Sequence, residues 1–221
     1  MLRRPVSWLT SAALIVGTMP APLHAQSAVP AEGGSFLLAQ AAVPAPLPGP
    51  DQPVAAIYSA EQLDAMLAPI ALYPDVLLMQ VLMASAFPLQ LVDASRWLQQ
   101  GGNRNLRGEA LQRALEPLYW DPSVKSLVPF PQVIAQMTGN LEWLQDLGTA
   151  TVQQQADVMD SIQRLRQLAA AAGNLRTNDQ CVVRTEDRYI YIEPVQPELI
   201  YVPAYNPTVV YGSWAYPAYP P

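Results

Sequence analysis

The sequence predicts a mainly α-helical fold with a small C-terminal antiparallel β segment (α+β): a bundle of short helices followed by a β-meander. Three observations predict it. The stretch 63–98 is strongly apolar but is cut by Pro69, Pro74 and Pro88 into pieces too short to span a bilayer. Helix-start signals recur from Ser59 to Thr151, each followed by an apolar stripe of helical period. After Cys181 the pattern changes to alternation with turn residues between the runs.

The elements are taken in chain order. Residues 1–25 have the form of a signal peptide: Arg3 and Arg4, an apolar run from Val6 to Met19, and Ala25 as a small residue before a cut at Gln26. Residues 26–57 form an Ala/Pro-rich linker, with Pro44, Pro46, Pro48, Pro50 and Pro53 holding it extended. A helical domain is expected over 58–175. Ser59 and Gln62 make a capping box, with Leu63, Met66, Leu67 and Ile70 on one face. Pro74 opens the next helix, with Asp75 at the positive end of its dipole. From Val76 to Ala86 only Gln80 and Ser85 are polar, which predicts burial on nearly every side.

Pro88 starts a helix that Gly101-Gly102 stops, and a shorter one lies near Gly108 to Leu115. Asp121-Pro122 is an N-cap followed by a first-position proline; Pro131 opens a helix ending at Gly139, and Asn140 caps the next. Thr151 and Gln154 suggest a second capping box ahead of the longest helix, striped by Val152, Ala156, Met159, Ile162, Leu165 and Ala169 and closed by Gly173. Asp160 and Arg164 stand at i,i+4 on its outer face. A small β-meander packed on the helices is expected over 176–212. Its strands would be Cys181–Thr185, Arg188–Glu193 and Glu198–Val202, with Pro203 and Pro207 restricting the next residues to edge or loop structure. Residues 213–221 form a Tyr/Pro-rich tail, expected to be extended.

Composition excludes several functions. The net charge is −6, and loss of Arg3 and Arg4 with the signal peptide deepens it by two, so phosphate backbones are repelled and nucleic acid is not an expected partner. His24 is the one histidine and would leave with the signal. That removes Ser-His-Asp and Cys-His catalysis and imidazole metal ligands. Cys181 is the one cysteine, so there is no internal disulfide and no thiolate cluster, and export without a disulfide suits a bacterial envelope compartment. No phosphate loop, dinucleotide fingerprint or calcium loop is present, and no cofactor or metal is expected.

Carboxylate chemistry survives this test. Asp75, Asp93, Glu109, Asp121, Asp157 and Asp160 are available to a hydrolase acting on cell-wall glycan or peptide. Helix starts already account for Asp75 and Asp121, and Asp93 lies at i,i+3 from Arg96. Lys125, between Ser123 and Ser126, is the only lysine. It points away from both serines on a helix and reads as solvated. No catalytic residue is therefore assigned. Aromatic side chains offer contact area instead, and the candidate partner-contact residues are Tyr73, Trp120, Tyr205, Tyr211, Trp214, Tyr216 and Tyr219.

Several blocks stand in a set order: Leu67-Ala68-Pro69-Ile70-Ala71-Leu72-Tyr73-Pro74-Asp75, Gln80–Ser85, Ala94–Leu98, Trp120–Leu127, Gln155–Asp160, Ile200–Pro203 and Tyr205-Asn206-Pro207. Together they resemble the bacterial exported family catalogued as domain of unknown function 3300, over roughly Glu61 to Gly212. The resemblance implies an exported or envelope-associated protein and brings no activity, cofactor or catalytic residue with it. The expected protein is a binding or assembly module of the bacterial periplasm or cell envelope. It would have no transmembrane span in its mature chain, and its partner would be a protein or an envelope component.

Overall fold

A computed structural model describes residues 56–221; the expected signal peptide and nearly all of the expected linker lie outside the described residues. Nine α-helices and one two-stranded sheet are the main elements among the described residues: α1 (Ala60–Leu67), α2 (Asp75–Ser85), α3 (Pro88–Leu98), α4 (Gly108–Leu115), α5 (Pro122–Leu127), α6 (Pro131–Gly139), α7 (Leu141–Gln153), α8 (Gln155–Ala171), β1 (Cys181–Glu186), β2 (Tyr189–Pro194) and α9 (Pro207–Val210).

Local signals set most helix ends. The Ser59 hydroxyl accepts from Gln62 N and the Gln62 side chain accepts from Ser59 N, closing the capping box. Asp121 caps α5, accepting from Ser123 N at 2.8 Å, and Asn140 caps α7, accepting from Trp143 N at 3.1 Å. Pro88, Pro122 and Pro131 each open a helix, where no N–H is missed. Gly101 and Gly102 end the α3 region with φ of 53° and 80°.

Helix α2 is the centre of the bundle. It packs on α7, α5 and α3, while α1 lies on α8 and α3 on α6. Leu77, Leu78, Val81, Leu82 and Ala84 are buried, but Val76, Met79 and Met83 are exposed in one line, so α2 keeps an open apolar face rather than full burial. The cause is placement: α3, α5, α7 and the hairpin surround only part of its circumference. Among the described residues no single helix is long and apolar enough to cross a membrane. The α2–α3 pair has that composition together but bends by 111° at the Ala86-Phe87 break.

The predicted second capping box does not form. Helix α7 runs through Thr151 to Gln153, and the Thr151 hydroxyl donates to Leu147 O inside it. The break falls at Gln154, whose buried amide brackets the chain entering α1: Tyr58 N donates to Gln154 Oε1 at 2.8 Å, and Gln154 Nε2 donates to Tyr58 O at 3.1 Å. A long-range pairing thus outcompetes the local cap. Val152 consequently faces solvent on α7, and the buried stripe of α8 is Val158, Ile162, Leu165 and Ala169. Arg164 turns to Asp64 of α1 at 2.7 Å instead of pairing with Asp160.

The β segment is a hairpin, not a three-stranded meander. Cys181 pairs with Pro194 and Glu186 with Tyr189, around a tight turn where Asp187 takes φ 52°. Residues 198–202 form no strand, and a single Gln196–Leu199 bridge is all that remains of the third. Pro197 and Pro203 flank this stretch without N–H groups, and Ile200 and Val202 pack onto the helical core instead. Pro207 then opens the short α9, capped by Asn206.

Both hairpin edges are occupied. On β2, Ile190 N donates to Gln163 Oε1, Ile190 O accepts from Arg166, and Ile192 N donates to Asp75. On β1, Val183 exchanges bonds with the Thr177 hydroxyl, and Cys181 does so with the side chain and backbone of Asn178. Side chains thereby close edges that would otherwise template another strand.

Candidate functional site

The turn between α1 and α2, residues 68–74, is almost wholly buried. A buried turn exposes carbonyls that no helix ladder satisfies, so partners must come from elsewhere. Arg166 supplies one set. Its guanidinium is 2% exposed and donates Nε to Ala71 O at 2.9 Å, Nη2 to Tyr73 O at 3.1 Å and Nη1 to Ile190 O at 2.8 Å, while pairing with Asp75 at 2.6 Å. Five directed N–H groups make arginine the residue for such a node.

The C-terminal chain supplies the other set. The hydroxyls of Tyr205 and Tyr211 both donate to Ala68 O, at 3.0 and 2.6 Å, so one carbonyl accepts twice; Leu72 N donates back to Tyr205 Oη at 3.4 Å. Asn174, just after α8, donates to Val210 O at 3.0 Å. An aromatic chain extends from this clasp. Tyr73 meets Tyr205 edge-on at 6.5 Å, Tyr205 meets Tyr211 at 6.4 Å, Tyr211 meets Trp214 at 6.0 Å, and Trp214 meets Tyr216 at 5.8 Å.

Five of the seven predicted contact residues therefore touch in sequence. Tyr219 joins them through its carbonyl, which accepts from Trp214 Nε1 at 2.7 Å. Trp120 stands apart, packed edge-on against Trp97 at 6.1 Å. Tyr73 and Tyr211 are buried, so their area is committed to the core; Tyr219 is exposed. The tail is folded back rather than extended: Tyr219 N donates to Tyr216 O, and Ala218, Tyr219 and Pro220 line a cleft of about 340 Å³ with Tyr58, Met66 and Trp143. Aromatic packing offsets the proline bias toward extension.

Burial pushes the phenols of Tyr73 and Tyr205 up, Tyr205 well above its ordinary value, with neighbouring Tyr211 adding to it; burial also raises Tyr211. Between the ordinary tyrosine value near 10 and the folded value, the unfolded chain holds fewer protons than the folded one. Stability should therefore be intact below about pH 10 and fall as pH rises beyond it. Urea midpoints between about pH 9 and about pH 11 check this, and the Tyr205→Phe/Tyr211→Phe double variant should show a flatter decline.

The carboxylates do not converge. Asp75 is tied to Arg166, and Asp93 pairs with Arg96 at 3.5 Å in solvent. Asp121 accepts from Ser123 N and from its hydroxyl, Asp157 accepts from Gln154, and Glu109 and Asp160 lie on α4 and α8. Ser123 is thereby engaged, and the Ser126 hydroxyl donates to Pro122 O, leaving neither serine paired with Lys125. Sequence reasoning missed two residues that matter here. Asp64, almost fully buried, accepts from the Ser161 hydroxyl at 2.5 Å besides pairing with Arg164, and it joins α1 to α8. Arg166 is the other. Its signal was legible: it is a charge at i+4 from Ile162 and i−3 from Ala169, within the buried stripe of α8.

The family described as "Protein of unknown function (DUF3300)" matches over residues 59–221. The chain belongs to the DUF3300 family. The matched region takes in the buried turn, the Arg166 node and the tyrosine clasp, so the family match covers the whole clasp. The "Uncharacterized protein YacH" of Escherichia coli (strain K12) is 39% identical over 236 residues, covering 92% of this chain and 38% of that protein. This DUF3300 chain thus spans well under half the length of the relative it matches. No solved structure matches it.

Proposed function

We propose that this DUF3300 chain is an exported protein of the bacterial periplasm or cell envelope that acts by binding or assembly rather than by catalysis, with a protein or envelope component as partner. One observation carries the proposal: where the side chains with chemistry go. Asp64, Asp75, Asp121, Ser123, Ser161 and Arg166 are all engaged in holding helices, turn and hairpin together. What the surface offers instead is apolar and aromatic area, in Val76, Met79 and Met83 of α2 and in Tyr201 and Tyr219 of the C-terminal chain. Contact sites are built from such residues. Export is supported by the form of residues 1–25.

Two measurements test this. In bacterial cells the protein should fractionate with the periplasm or envelope and begin at Gln26; a product that keeps Met1 and stays in the cytoplasm refutes export. In-cell crosslinking should give a discrete adduct that weakens in a Tyr201→Ser/Tyr219→Ser variant of unchanged thermal midpoint. An adduct pattern identical in both proteins removes the C-terminal aromatics from the contact.

A further inference from the structure

The C-terminal chain does not seal completely against the domain. Between the α8–β1 connection, the hairpin and residues 201–210 it leaves a cavity of about 200 Å³. That is room for about seven water volumes and lies below the roughly 300–1,000 Å³ of sites for drug-sized molecules, so an occupant must be small. Its floor is apolar: Leu72, Pro74, Ile192 and Val210 are buried side chains of the core. Its rim is polar and exposed, formed by Arg176, Asn178 and Gln180.

Charge narrows the chemistry. The chain carries 18 acidic residues against 12 basic ones, yet no carboxylate lines this cavity and Arg176 is its one charged residue. Among the described residues the ion pairs involve Arg96, Arg164, Arg166 and Arg184, not Arg176. A guanidinium fork matches a carboxylate in two parallel bonds. The chain's net charge of −6 also disfavours a dianion such as a phosphate monoester more than a singly charged group.

We infer that this cavity binds a small apolar monocarboxylate, its hydrocarbon body against Leu72, Ile192 and Val210 and its carboxylate at Arg176. Tyr201 lines this cavity as well as the proposed contact surface, but binding here requires neither export nor a partner at the α2 face or Tyr219, so its failure leaves the proposed function standing. Cys181 lines the same cavity and is half-buried, and burial raises its thiol above the ordinary value. As the only cysteine, it reports on occupancy.

The test titrates the full chain with octanoate, octan-1-ol and octylammonium, reading calorimetry and the rate at which a thiol reagent modifies Cys181. Octanoate should bind and slow the modification, with octan-1-ol about tenfold weaker and octylammonium weaker still. Arg176→Gln, at an exposed rim position, should weaken octanoate about tenfold and leave octan-1-ol unchanged. Ala204→Leu should fill the cavity and abolish binding; should that variant fail to fold, Arg176→Gln decides alone. Absence of octanoate binding at millimolar concentration overturns the inference. So does equal binding of octan-1-ol, preference for octylammonium, or an Arg176→Gln variant that binds octanoate as the parent does.

Discussion

Replacing Arg166 by methionine should destabilise the fold by about 3–5 kcal/mol, because it removes a buried guanidinium that bonds three carbonyls and pairs with the half-buried Asp75. Methionine restores some volume but no donors. The carbonyls of Ala71 and Tyr73 lose their donor, Ile190 O keeps only the 3.3 Å bond from Gln163 Nε2, and Asp75 loses its ion-pair partner. Against a typical total of about 5–15 kcal/mol, such a loss leaves little reserve. Urea unfolding of the variant measures it. Adding Asp75→Asn should recover part of the loss by removing the stranded charge, and the recovery separates the ion pair from the carbonyl bonds. Arg166→Lys should fall between, because one ammonium cannot reach three carbonyls and a carboxylate in the arginine geometry. A methionine variant within about 1 kcal/mol of the parent would mean the turn finds other partners.

Gly148→Ala should cost about 2 kcal/mol although it raises helix propensity. Helix α7 crosses the end of α2 so closely that a Cβ at Gly148 would overlap the Ser85 carbonyl oxygen and lie 3.0 Å from its carbon. Both sides of that contact are backbone, so neither helix relieves it by a rotamer change. Overpacking of about 3 kcal/mol, at the upper end of the usual range, outweighs the propensity gain of about 1 kcal/mol. For a domain of this size the thermal midpoint should drop by about 4–8 °C. Gly139→Ala is the control. It lies at the end of α6, and nothing stands within 4 Å of its would-be Cβ. Its midpoint should hold or rise slightly. Equal behaviour of the two variants would show that α2 and α7 have room to separate.

These two positions mark what could and could not be read along the chain. The caps at Ser59, Asp121 and Asn140 and the prolines at 88, 122 and 131 act within three or four residues, and the helices begin where they indicate. Gly148 carries no local signal, because its role depends on Ser85, a residue on another helix. Thr151 and Gln154 had the spacing of a capping box, yet Gln154 pairs with Tyr58, 96 residues away. The α2 stripe of Val76, Met79 and Met83 read as core because apolar composition reports a preference for burial, whereas the number of neighbours determines which faces are covered.

The candidate site divides the same way. Aromatic richness picked out Tyr73, Tyr205, Tyr211, Trp214 and Tyr216, and they do form one connected chain. Their composition did not reveal that Tyr211 faces inward, because a proline-rich segment with five tyrosines reads as surface until a buried turn needs its hydroxyls.

By itself, then, the amino-acid order determined the helical character, most of the helix starts, the change to strands after Cys181 and, through a single cysteine, the lack of an internal disulfide or thiolate cluster, since each depends on composition or on neighbours a few residues apart. The closure of the domain was decided only in three dimensions. Ala68 O receives Tyr205 and Tyr211 across 137 and 143 residues, and Ala71 O receives Arg166 across 95. A buried carbonyl must find a donor, and which donor reaches it is a property of the packed chain rather than of any local stretch.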